Sequence, residues 1–257
     1  MRAIVEYDGT DFHGLQFQPA MRTVAGELER SLSKVLDEPI KITAAGRTDT
    51  GVHATGQVIS FKTSRSFPFE RLRIALNNAL PSDLSVREAG IAPENFSARF
   101  SAVERTYVYA ILNRRYPSAL LSRLTYRVWT PMDLEAFNAA AQPLIGEHDF
   151  RSFCGMLPES GPTVRELKSL RAERRGELVR VEIIADGFLH RMARTLVGTL
   201  VECAVGRRDP ARVADLLAAR AREATGHTAP AQGLYLAGVR YTDGYQSFGE
   251  PAVFSAV

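Results

Sequence analysis

Apolar residues recur with two different periods along the first ninety positions. Residues 2–7 form a short apolar run around Ile4, Val5 and Tyr7 that stops at Asp8-Gly9, the pattern of a strand. Thr23 reads as a helix N-cap. Val24, Leu28, Leu32 and Leu36 then follow at every fourth position, which predicts an amphipathic helix over residues 24–37. Strands are predicted at residues 41–45 and at 57–62, where Val58, Ile59 and Phe61 supply the apolar positions. Residues 69–80 read as a second helix ended by Pro81, and residues 84–89 as a strand. The order is β-α-β-β-α-β.

The second half repeats that order loosely. In residues 105–112, Tyr107, Tyr109 and Ile111 alternate with Thr106, Val108 and Ala110, so a strand is predicted with the tyrosines on one face. Pro131 and Asp133 open a helix that runs to Leu144. Residues 164–173 and 177–185 read as strands about a turn at Arg175-Gly176. Residues 190–205 carry Met192, Leu196, Leu200 and Cys203 along one helical stripe. Asp209-Pro210 opens a further helix to Ala221, and Leu234–Tyr241 closes the chain's pattern as a strand. This order predicts the α+β class: two ferredoxin-like (RRM-like) halves sharing a large mixed, mostly antiparallel β-sheet. The turn-rich, basic stretch at residues 95–105 marks the boundary. It gives an N-terminal half of residues 1–104 and a C-terminal half of residues 105–257.

Composition narrows the class. At 257 residues, with 45% hydrophobic and 24% charged residues, the chain is neither disordered nor fibrous, and it can bury a core without staples. Its two cysteines, Cys154 and Cys203, form no CxxC pair, so a structural zinc site is not expected and a reducing compartment, the cytoplasm, is. Glu6 and Asp8 interrupt the N-terminal apolar run, which argues against a signal peptide, and no apolar run is long enough to span a membrane. The net charge of +3 is carried by 28 Arg and only four Lys. Arg99, Arg105, Arg114, Arg115, Arg123 and Arg127 cluster in a stretch whose only acid is Glu104. Codon bias or adaptation to heat would produce such a ratio, as would selection for the planar guanidinium fork that grips phosphate in a polyanion.

The densest unusual segment is Ala44-Ala45-Gly46-Arg47-Thr48-Asp49-Thr50-Gly51-Val52-His53-Ala54-Thr55-Gly56-Gln57. It predicts a strand, a glycine-rich loop that holds one carboxylate, and a second strand. Asp49 is either an aimed nucleophile or base, or the acceptor of an Asx-turn. The glycine spacing is not that of a phosphate loop. Tyr107 and Tyr109 either stack on bases, as aromatics do on RRM-like sheets, or pack in a core. Arg194 lies one turn into a helix with Gly198 four residues on. It either faces a ligand or lies on a solvated helix face. His53 and His190 are set aside as packed or solvated.

The segment Gly46-Arg47-Thr48-Asp49-Thr50-Gly51-Val52-His53-Ala54 resembles the signature of the TruA-type tRNA pseudouridine synthases. The resemblance continues, in order, through Tyr7-Asp8-Gly9-Thr10-Asp11-Phe12-His13-Gly14-Leu15-Gln16, Leu76-Asn77-Asn78-Ala79-Leu80-Pro81, Phe96-Ser97-Ala98-Arg99 and Arg105-Thr106-Tyr107-Val108-Tyr109. It closes with Gly146-Glu147-His148-Asp149-Phe150, Gly187-Phe188-Leu189-His190-Arg191-Met192-Ala193-Arg194 and Ala229-Pro230-Ala231-Gln232-Gly233-Leu234. Two departures are Ala193-Arg194-Thr195, where Val-Arg-Asn is commoner, and the acid of Val103-Glu104 in a link that is usually neutral or basic.

The resemblance implies the pseudouridine synthase fold. It implies isomerisation of uridine to pseudouridine in the tRNA anticodon stem-loop, at positions 38–40, by a homodimer with no cofactor and no metal. It assigns Asp49 as nucleophile, Tyr107 as the residue stacking on the target base, and Arg194 as the cation paired with the aspartate. Arg47, Thr48, Arg99 and Arg105 are expected to bind RNA or substrate, with Arg47 occupying the space of the flipped nucleotide. Two other classes compete. A non-catalytic RNA-binding protein would explain the arginines and tyrosines but not an aspartate in a tight loop. A nucleoside hydrolase or glycosidase would usually bring two carboxylates, and the loop offers one.

Overall fold

The computed structural model describes residues 1–158 and 161–255. In chain order its strands and helices are β1 (Arg2–Tyr7), α1 (Val24–Leu36), β2 (Ile42–Ala44), β3 (His53–Phe61), α2 (Leu72–Ala79), β4 (Leu84–Gly90) and β5 (Ala102–Asn113). They continue as β6 (Tyr126–Val128), α3 (Leu134–Ala141), β7 (Gly146–Asp149), β8 (Val164–Arg175), β9 (Leu178–Ala185), α4 (Met192–Ala204), α5 (Val213–Ala219), β10 (Leu234–Tyr241), β11 (Gln246–Phe248) and α6 (Ala252–Ser255). The class is α+β, as expected. Contacts divide the chain into two compact units. The first comprises residues 1–105 together with Tyr235–Glu250, and the second comprises Thr106–Leu234 and the residues from Pro251 onward. No helix among the described residues is long and apolar enough to cross a membrane.

The first unit is a β-α-β-β-α-β arrangement with two later strands added. Its strands lie in the order β4-β1-β3-β10, with β2 beside β3 and β11 beside β10. All pairings are antiparallel except β3 with β10, where Tyr235 faces His53 and Leu236 faces Ala54. Helix α1 buries Val24, Ala25, Leu28, Leu32 and Leu36, the stripe seen in the sequence. Its N-cap is as predicted: Thr23 Oγ1 accepts from the Gly26 amide at 3.2 Å.

One boundary differs materially. Strand β3 begins at His53, four residues before the expected position, and all nine of its residues are buried. A strand enclosed on both faces has no polar alternation. His53, Thr55 and Gln57 are therefore buried polar residues of the strand, although His53 and Thr55 read as loop. The segment at 69–80 starts as a 3₁₀ turn, Phe69–Arg71, before α2. The helix from Asp133 is α-helical only to Ala141. Pro143 lacks the N–H that another α-turn needs, and Gln142–Leu144 is 3₁₀. Strands β6, β7 and β11 have three or four residues each, too few to show a period.

In the second unit the strands run β5-β9-β8-β7, with β6 parallel to β5 and the β7-β8-β9 pairings antiparallel. Helix α4 is buried at 11 of its 13 positions, all but Arg194 and Glu202. Each unit fastens a helix to a strand in the same way. Asn77 on α2 brackets Val86, accepting from its amide at 2.7 Å and donating to its carbonyl at 2.9 Å. Asn138 on α3 brackets Ala172 at 2.8 and 3.0 Å.

Candidate active site

Asp49 lies in the connection between β2 and β3 of the first unit, and its neighbours hold that loop at several points. At its start, the Ala45 amide donates to Val58 O at 2.9 Å. The buried amide of Gln57 then brackets Gly46, donating to its carbonyl at 2.7 Å and accepting from its N–H at 3.3 Å. Thr48 turns inward and shares a 2.8 Å hydrogen bond with the hydroxyl of Tyr7. Burial pushes the Tyr7 phenol up to about 12, with hydrogen bonds to Thr48 and Gln57 opposing the shift, so the hydroxyl stays neutral at ordinary pH. The carbonyl of Thr48 accepts from Leu15 N at 3.0 Å. That approach requires Gly14, at φ +81°, where a Cβ would lie 2.9 Å from the Thr48 carbonyl oxygen. The turn after Asp49 is closed through its main chain, Val52 N donating to Asp49 O at 3.1 Å. Arg47 and Thr50 are exposed and Asp49 is half-buried.

Two other sequence candidates lie in the same unit. Arg99 is exposed, its guanidinium 5.2 Å from the ring of Phe100. It follows Ala98, which is tied down by Ser60 Oγ at 3.0 Å and by the Tyr241 hydroxyl at 2.9 Å. Arg105 turns onto main chain: Nη2 donates to Arg99 O at 2.7 Å, Nη1 to Ala102 O at 3.0 Å, and Nε and Nη2 to Ala45 O at 3.3 and 3.2 Å. The acid that departs from the family pattern, Glu104, takes both oxygens to Arg240, at 3.2 and 2.7 Å.

Tyr107 and Arg194 belong to the second unit. Tyr107 is 7% exposed, with Phe188 edge-on to its ring at 4.8 Å. Tyr109 is core: it is fully buried, its hydroxyl donates to Pro230 O at 2.7 Å, and burial pushes its phenol well above the usual range. Arg194 is one of the two α4 positions left only half-buried, and its side chain turns onto main chain rather than into solvent. Its Nε donates to Ala229 O at 2.7 Å, while its own carbonyl accepts from Ala229 N at 3.0 Å. Gly198 makes this possible, because a Cβ there would run into the carbonyl of His227. The strap at residues 225–229 is anchored in turn. Gly226 N donates to Thr199 Oγ1 at 3.0 Å, His227 N donates to Glu202 at 3.2 Å, and Arg222 binds Gly226 O and Thr228 Oγ1 at 3.0 and 2.9 Å.

Arg47, Thr48, Asp49, Arg99 and Arg105 thus fall in the first unit, where Arg105 joins the Arg99 segment to the start of the Asp49 loop; Tyr107 and Arg194 fall in the second. The sequence reading did not single out Tyr7, Gln57, Phe188 or the strap at 225–229. Gln57 has a sequence signal, an amide at the edge of the apolar run Val58-Ile59. Tyr7 and Phe188 lie inside the motif blocks, where their apolar character reads as plain core.

The profile of the family described as tRNA pseudouridine synthase matches residues 3–101 and 140–242. The chain is similar to tRNA pseudouridine synthase A of Halalkalibacterium halodurans, 46% identical over 93% of this chain and 92% of that protein. It is 42% identical to tRNA pseudouridine synthase A of Brevibacillus brevis over 94% of this chain and 99% of that one. It is 41% identical to tRNA pseudouridine synthase A of Escherichia coli, over 94% and 89% of the two chains. A profile match in both units and relatives that align over nearly the whole chain place it: the chain belongs to the tRNA pseudouridine synthases, the isomerases that convert uridine to pseudouridine in tRNA.

Proposed function

We propose that the uridines isomerised are those of the anticodon stem-loop, positions 38–40, and that Asp49 is the nucleophile. The observation that carries the second point is the anchoring of the Asp49 loop. Four groups hold its main chain or Thr48 from the protein side, while the turn is closed through the Asp49 carbonyl. Isomerisation breaks N1–C1′, turns the uracil and forms C5–C1′, with no net redox change and no group carried away. A carboxylate that attacks the sugar or the ring splits that task into two easier steps. Tyr107 stacks on the target base, and Arg194, braced by Ala229, is the cation that the family resemblance assigns to the reaction. Arg47 and Arg99, both exposed, contact the RNA, and Thr48 sets the inward side of the loop. The enzyme works as a cytoplasmic homodimer without a cofactor. The choice of stem-loop and the dimer rest on the family resemblance.

Asp49→Asn tests the central assignment. Asn keeps the size and one acceptor oxygen but cannot act as a nucleophile. The variant is expected to fold and bind tRNA within about twofold of wild type while pseudouridine formation, mapped chemically on unmodified tRNA transcripts, falls by about 10³-fold or more. A well-folded variant with near-normal turnover would falsify the assignment, and product outside the anticodon stem-loop would refute the choice of site.

A further inference from the structure

We infer that Arg105 is a positioning residue for the isomerisation: it tethers the Asp49 loop and the Arg99 segment to one guanidinium and does not grip RNA. The inference rests on the assignment of Asp49. Three carbonyls from two segments converge on this side chain. Ala45 O opens the Asp49 loop, and Arg99 O and Ala102 O lie on the approach to and start of β5. A guanidinium presents its N–H groups in one plane at fixed angles, which suits several acceptors at once; an ammonium has no such fork.

The place of the tether matters. The Ala45 peptide is held on its amide side by Val58 O at 2.9 Å and on its carbonyl side by Arg105 at 3.2–3.3 Å. Asp49 follows four residues later, and the next fixed points are Gly46, through Gln57, and Thr48, through Tyr7 and Leu15. Arg105 therefore secures the arm from which the carboxylate is aimed. Displacing a reacting group by about 1 Å costs on the order of 10²-fold in rate. Arg105 is half-buried, whereas Arg99 is exposed. The two arginines, adjacent in a basic cluster, divide the work: one holds the scaffold and the other faces solvent.

The experiment uses the full chain carrying Arg105→Met or Arg105→Lys, with an unmodified tRNA transcript. Three quantities are read: the single-turnover rate at saturating tRNA, the Kd at several salt concentrations, and amide hydrogen exchange across residues 45–52. The inference expects the rate to fall by about 10- to 100-fold and exchange in the loop to quicken. The Kd should stay within about threefold and its salt slope should not change. Lys, with a single compact head, should recover only part of the rate. A phosphate contact would show the reverse: a near-normal rate at saturation, a Kd raised about tenfold and a salt slope reduced by about one. That result overturns the inference, as does unchanged exchange in the loop. If Arg105→Met does not fold, Arg105→Lys carries the same readouts. The two assignments fail separately: turnover by Asp49→Asn refutes the nucleophile, whereas faster loop exchange at an unchanged rate refutes only the role of Arg105.

Discussion

Tyr7 and Thr48 join the first strand of the first unit to the loop that carries Asp49, and they do so with one buried hydrogen bond of 2.8 Å. Tyr7→Phe leaves the Thr48 hydroxyl buried without that partner, a loss of about 1–3 kcal/mol. Thermal melts should show a lower Tm, and turnover should fall severalfold as the loop loosens; an unchanged Tm would contradict the role given to the pair. The same residue predicts an alkaline weakness. The folded value of the phenol, about 12, lies above the usual value of about 10. Its contribution is therefore complete below about pH 10 and is lost as pH rises towards about 12. Tyr109, also raised by burial, acts with the same sign. Stability should decline across that window, and the Tyr7→Phe variant should show a shallower decline.

At the scale of elements, the position of Arg194 depends on how a helix and a loop approach each other. The stripe on residues 190–205 revealed the helix, but not that almost every side of it is covered. Nor did it reveal that Gly198 exists to admit the strap at 225–229. Gly198→Ala separates these effects. Alanine improves helix propensity by about 1 kcal/mol, so an uncrowded site would be stabilised. Here the added methyl meets the His227 carbonyl, the strap must shift, and the bond from Arg194 Nε to Ala229 O at 2.7 Å is lost. The variant should melt lower and turn over more than tenfold slower, with tRNA affinity within about threefold of wild type. A stabilised, fully active Gly198→Ala would show that the strap does not position Arg194.

For the whole molecule, a cluster of arginines in sequence is not one surface. Arg105 is turned onto carbonyls, Arg114 onto Glu177 at 2.7 Å and the ring of Tyr116 at 4.2 Å, and Arg127 onto the Arg115 carbonyl at 2.7 Å. Arg99, Arg115, Arg123 and Arg127 are exposed, whereas Arg105 and Arg114 are half-buried. The dimer is tested at this scale: sedimentation at micromolar concentration should give twice the monomer mass of 28.3 kDa, and the monomer mass would refute it. The sequence by itself determined what is set by local chemistry and one-dimensional pattern. That includes the class, the helix stripe of α1 with its Thr23 cap, the strand carrying Tyr107, and the loop that isolates Asp49 between threonines. Periodicity reports which side of an element is covered, and capping and turn residues act within a few positions of themselves. The tertiary structure decided the rest. It enclosed β3 on both faces, made Tyr109 core, and returned residues 235–250 to the first unit as β10 and β11. It also gave Arg105 to the carbonyls of Ala45, Arg99 and Ala102. Each of these depends on a partner 60 or more residues away, or on which donors an arginine has already committed, and no local pattern records that.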